Sequence, residues 1–72
     1  MKEEQSGYVV YNKDETKAIC CDTYVTLTED LTAVTLFDSE EKANYAIGFY
    51  NRNHKKKATL HIKYQTRKVE IY

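Results

Sequence analysis

One stretch of this 72-residue chain has an unambiguous period, and everything else must be arranged around it. Ala43, Ala46, Ile47 and Tyr50 recur at i, i+3, i+4 and i+7, which lines them along one side of an α-helix. Asp38 stands where an N-cap belongs, and Glu41 follows three residues later in the capping-box arrangement. Glu40 and Glu41 in the first turn and Arg52 at the other end complement the helix dipole. The spacing predicts a helix from about Ser39 to Asn51 or Asn53. A single amphipathic helix can bury its stripe only against a second layer, so the rest of the chain must supply a sheet.

The flanking segments have the composition for it. Tyr8-Val9-Val10-Tyr11 is an aromatic and β-branched run, and Asn12-Lys13-Asp14-Glu15 reads as the turn after it. Lys17 to Cys21 returns as the partner strand. Ile19, Cys21, Val25 and Leu27 share one face in the odd register, which predicts a long or bent second strand interrupted near Asp22. Thr28 to Leu31 is predicted to form a capped helical turn or a tight corner, and Val34 to Phe37 a short strand. After the helix, Leu60, Ile62 and Tyr64 alternate with Thr59, His61 and Lys63. Val69 and Ile71 have the opposite parity, and a turn through Gln65-Thr66-Arg67-Lys68 resolves the conflict as a C-terminal hairpin. The expected fold is α+β: a small antiparallel sheet of N-terminal hairpin, short strand and C-terminal hairpin, with one helix on one face. Residues 1–6 are expected to be flexible, and 7–72 to form a single domain.

A chain of this length buries only about 60% of its unfolded surface, so it needs every core contact it can make. No apolar run reaches the roughly 20 residues of a membrane span, and no signal-peptide core follows Met1, which predicts a cytoplasmic protein with no membrane partner. Cys20 and Cys21 are adjacent, so in a strand they point to opposite faces and cannot pair. One core thiol and one surface thiol are expected. Zinc sites separate paired cysteines by two to four residues, so Cys20, Cys21, His54 and His61 do not read as a metal site. Neither Ser6 nor Ser39 has a nucleophile's surroundings, and no feature presents a histidine to a cleft. The sequence predicts neither an enzyme nor a cofactor.

Charge is the feature that points to function. Residues 1–41 hold ten acids and three bases, a net −7, while 42–72 hold eight bases and one acid, a net +7. Such a dipolar chain is suited to charged partners. In the basic half, Arg52, Lys55, Lys56, Lys57, Lys63, Arg67 and Lys68 are interleaved with Tyr45, Phe49 and His61. At about 100° per residue, Tyr45, Phe49 and Arg52 form a second helical stripe away from the core face. These ten residues are the candidate partner-binding surface. Exposed aromatics beside a guanidinium can anchor a protein interface or stack on bases. The structural alternative is that Phe49 covers the sheet margin and the lysines are a solvated loop. The acids can serve as the basic half's own partners across the sheet, and open sheet edges on so small a domain also favour a homodimer.

The residues from Tyr8 to Lys13, and from Leu31 through Phe37 and Asp38 to Ala43, resemble the pattern of small phage-encoded proteins. In those, an aromatic-aliphatic strand and a Phe-containing stretch lead into a capped, alanine-containing helix. The resemblance covers most of residues 8–47 and carries no catalytic residues. It implies a host-takeover or anti-defence inhibitor, in the broad manner of anti-CRISPR proteins. The expected function is therefore stoichiometric binding that blocks a host protein or ribonucleoprotein complex. The alternative is a nucleic-acid- or nucleotide-binding module that uses the same basic half.

Overall fold

A computed structural model describes residues 2–56 and 58–70. Its elements are β1 (Lys2–Asn12), β2 (Ala18–Cys21), β3 (Val25–Thr28), α1 (Glu40–Asn53) and β4 (Leu60–Glu70). The strands form one antiparallel sheet in the order β3-β2-β1-β4, with the helix packed on it. That is the α+β class expected from one amphipathic helix among alternating segments.

The predicted core stripe is where the helix meets the sheet. Ala43 and Ala46 are buried against Val10 and Ile19, and Ile47 and Tyr50 pack beside them with Val25, Leu27, Leu60 and Ile62. The opposite face of the sheet has a smaller core of Val9, Tyr11 and Ala18, covered by Val34 and Leu36. The first turn is held by Asn12, whose Oδ1 accepts from the Thr16 and Lys17 amides at 2.9 and 3.1 Å. Within it Glu15 takes a left-handed φ of 57°. That conformation is costly for a non-glycine residue.

Four expectations need correction. The C-terminal hairpin does not form: β4 is continuous and pairs with β1 from Asn12↔Leu60 to Lys2↔Glu70. Gln65-Thr66-Arg67-Lys68 contains no residue that favours a turn, and Thr66 suits a strand. Lys2 to Ser6, expected to fray, are held in β1 by this pairing. The helix, about 21 Å long, cannot cover a ribbon of about 36 Å. The parity change that suggested a turn falls where cover passes from one face to the other: beyond the helix, Gln65 and Arg67 are partly buried on the side of the 32–36 segment, while Thr66 and Lys68 are exposed. The last two residues of the predicted hairpin, Ile71 and Tyr72, lie outside the described residues.

The short strand at Val34–Phe37 is reduced to one bridge, Tyr8↔Phe37. The segment enters where β2 diverges from β1: the Thr35 amide donates to the Ile19 carbonyl, and Tyr8 and Phe37 exchange bonds of 2.9 Å. The second strand is interrupted where its pattern places the break, with a turn at 22–24 between β2 and β3. The helix cap also shifts by one residue. Ser39 is the N-cap, its Oγ accepting from the Lys42 amide, while Asp38 instead pairs with the Lys42 ammonium at 2.9 Å. Ser39→Ala should therefore cost about 1 kcal/mol in urea denaturation, and Asp38→Ala less than half of that. The reverse order would return the cap to Asp38.

Candidate functional site

The predicted binding residues fall on separate surfaces. Tyr45, Phe49 and Arg52 lie on the outer side of α1, as the helical angle requires, with Tyr45 70% and Phe49 39% exposed. Lys55 and Lys56 follow in the exposed loop after the helix. That loop is tied back by the Ala58 amide, which donates to Asn51 Oδ1 at 3.1 Å. Lys57 lies outside the described residues.

The β4 residues are elsewhere. Antiparallel register places His61, Lys63 and Arg67 opposite Tyr11, Val9 and Gln5, on the face away from the helix. All three are engaged within the molecule. Lys63 Nζ donates to Glu15 Oε1 at 2.8 Å, and His61 Nε2 stands 3.3 Å from the other carboxylate oxygen. The Lys63 hydrogen bond holds the Glu15 carboxyl below its usual range, and the pairing raises the Lys63 pKa. Arg67 Nη1 donates to the Val34 and Thr32 carbonyls at 3.3 and 3.4 Å, so this side chain secures the covering loop. Lys68 sits on the helix side of the ribbon's far end, opposite Glu4. The segregated charges of the sequence thus partly neutralise one another inside the fold. Among the described residues, the basic side chains that stay together and exposed are Arg52, Lys55 and Lys56.

The aromatic side of α1 borders a trough that the sequence did not reveal. A hollow of about 340 Å³ is lined by Cys21, Val25, Phe37, Tyr45, Ala46, Phe49 and the stem of Lys42. A wider depression of about 860 Å³ adjoins it and shares Cys21, Val25 and Phe49. Its far wall is the β2–β3 turn, where Tyr24 is 77% exposed. At the C-terminal end of the helix, Asn53 Nδ2 and His54 Nδ1 donate to the Phe49 and Tyr50 carbonyls, each at 2.8 Å, and the His54 ring stacks on Tyr50. The last turn is therefore rigidly closed beside the trough. Tyr24 was missed because a turn residue carries no periodic signal. The one available hint was the shared face of Ile19, Cys21, Val25 and Leu27, which leads directly to the trough wall.

Cys20 and Cys21 are free thiols, Cys20 half-buried and Cys21 exposed. Desolvation at the trough raises the Cys21 pKa, with Cys20 adding to the shift, so Cys21 is a weak nucleophile near neutral pH. The Cys20, Cys21, His54 and His61 set is dispersed over the two sheet faces and the helix end. Among the described residues no group of three or more His, Cys, Asp or Glu could hold a metal ion. No helix among them is long and apolar enough to cross a membrane. No family model matches the sequence, no curated protein is similar to it, and no solved structure matches the chain.

Proposed function

We propose that the chain is a non-enzymatic binding protein that occupies a host protein stoichiometrically, as an inhibitor of the phage or mobile-element kind. The observation that carries this reading is the trough between α1 and the β2–β3 turn. Tyr45 and Phe49 flank an apolar hollow and Tyr24 the depression beside it, with both tyrosines largely solvated and Phe49 partly so. Aromatic anchors around a concave apolar surface are the typical centre of a protein interface. Arg52, Lys55 and Lys56 at one end suit an acidic rim on the target. The resemblance of residues 8–47 to small phage proteins supports the inhibitory role. The nucleic-acid reading is weakened because His61, Lys63 and Arg67 are engaged internally.

The target is sought by capture from host lysate with and without nuclease, and the site is then tested on the purified pair. Phe49→Ala should weaken binding by about 2 kcal/mol, mainly through a faster off-rate and with little dependence on salt. Replacing Lys55 and Lys56 with alanine should instead slow association at low salt, and the defect should fade as salt rises. Wild-type affinity in Phe49→Ala would refute the trough. Capture abolished by nuclease, with a steep salt slope, would favour the nucleic-acid module.

A further inference from the structure

The crest of α1 borders the trough and shares Tyr45 with it, and one residue on the crest has no explanation inside the protomer. Gly48 lies in the middle of the helix, exposed, and a Cβ built there would meet nothing within 4 Å. Glycine in a helix interior lowers stability relative to alanine, and no turn or internal close approach requires it here. Glu41, Tyr45, Gly48 and Arg52 fall in a sector about 60° wide, diametrically opposite the Ala43-Ala46-Ile47-Tyr50 stripe, at about 100° per residue. Phe49 and the trough lie to one side of this sector.

We infer that the crest pairs with the crest of a second copy of this chain, as an antiparallel helix pair about a two-fold axis. The pattern is self-complementary. With the axis at the height of the Ala46–Ile47 peptide, Glu41 faces the partner's Arg52, and Tyr45 lies over the partner's Gly48. Two-fold symmetry repeats both contacts. Among the described residues neither Glu41 nor Arg52 makes an ion pair within the protomer. The helix carries Glu40 and Glu41 in its first turn and Arg52 in its last. Antiparallel approach therefore matches both side-chain charges and helix dipoles, whereas parallel approach opposes them. Gly48 provides the missing side chain into which a tyrosine ring can settle. The alternative edge-to-edge pairing of β4 about Gln65 sets Lys63 against the partner's Arg67, a like-charge contact that disfavours it. A helix pair of this size buries a small interface, so association is weak and reversible, and it engages Tyr45 at the rim of the trough while Phe49 stays outside the contact.

Sedimentation equilibrium of the full chain at low salt, from roughly 5 μM to roughly 1 mM, tests this directly. A monomer–dimer equilibrium is expected, with a dissociation constant on the order of tens of micromolar. Gly48→Leu should weaken it at least about tenfold while circular dichroism shows the fold retained. Glu41→Arg and Arg52→Glu should each weaken it about tenfold, since each places two like-charge contacts in the interface. The double reversal should restore the equilibrium to within about threefold of wild type. A protein that stays monomeric to the highest concentration overturns the inference, as does Gly48→Leu dimerising normally or a double reversal that fails to rescue. The trough is judged separately, because Phe49→Ala should leave this equilibrium unchanged.

Discussion

Ile19→Ala should cost about 3 kcal/mol, which is a large share of what a chain of this length possesses. Ile19 is fully buried on the helix-facing side of β2, in the cluster with Val10, Ala43 and Ala46. Truncating a buried isoleucine to alanine costs about 2–5 kcal/mol, through lost transfer free energy and the cavity left behind. Val10, Ala43 and Ala46 are short side chains fixed to the sheet and helix backbones, so they cannot reach in to fill the gap. At roughly 0.05–0.15 kcal/mol per residue, the whole domain is stabilised by about 4–11 kcal/mol. Urea unfolding should show a sharply lower midpoint with an unchanged slope. Tyr45→Ala, on the exposed crest, should stay within about 0.5 kcal/mol of wild type at monomeric dilution. Equal effects of the two substitutions would mean that α1 does not lie on this face of the sheet.

The contrast between Ile19 and Tyr45 was legible in the sequence because both obey a period. Ala43, Ala46, Ile47 and Tyr50 recur at helical spacing, and Val10, Ile19 and Leu60 alternate within strands, so burial selected their faces. Periodicity misleads where the buried face changes. Beyond Tyr64 the ribbon of β1 and β4 has no helix over it, and the alternation there cannot distinguish one long strand from a hairpin. The Val34–Phe37 segment was similarly ambiguous: its apolar residues do cover the sheet, but only Phe37 joins it as a bridge.

The candidate site was legible to the same extent. The stripe of Tyr45, Phe49 and Arg52 follows from helical angle alone. The grouping of basic residues does not, because neighbours in a strand point to opposite faces. His61, Lys63 and Arg67 went to one side and Lys68 to the other. Long-range partners such as Glu15 for Lys63, 48 positions apart, are set by the register of the sheet and have no local signature.

Gly7→Val should be nearly as damaging as Ile19→Ala, for a reason that lies in the backbone. Gly7 is buried in β1, directly beside the point where Tyr8 and Phe37 exchange hydrogen bonds. A Cβ at Gly7 would stand 2.9 Å from the Phe37 carbonyl oxygen and 3.1 Å from Leu36 Cβ. The first of these is main chain, which cannot swing aside as a flexible side chain could. The two γ-methyls of valine add to the same crowding. Residues 36 and 37 must therefore retreat, and the bonds to Tyr8 go with them. Leu36 and Val34 then lose their place over Val9 and Tyr11, and the carbonyls that Arg67 holds move away from it. Overpacking of this kind costs about 3 kcal/mol. Hydrogen exchange should show the Tyr8 and Phe37 amides losing protection, alongside the lower urea midpoint. Gly48→Ala gives the opposite sign, because open space surrounds that position: the isolated protomer should gain about 0.5–1 kcal/mol. If valine is tolerated at position 7 within about 0.5 kcal/mol, the 34–37 segment does not run against β1 and the smaller core must be assembled differently.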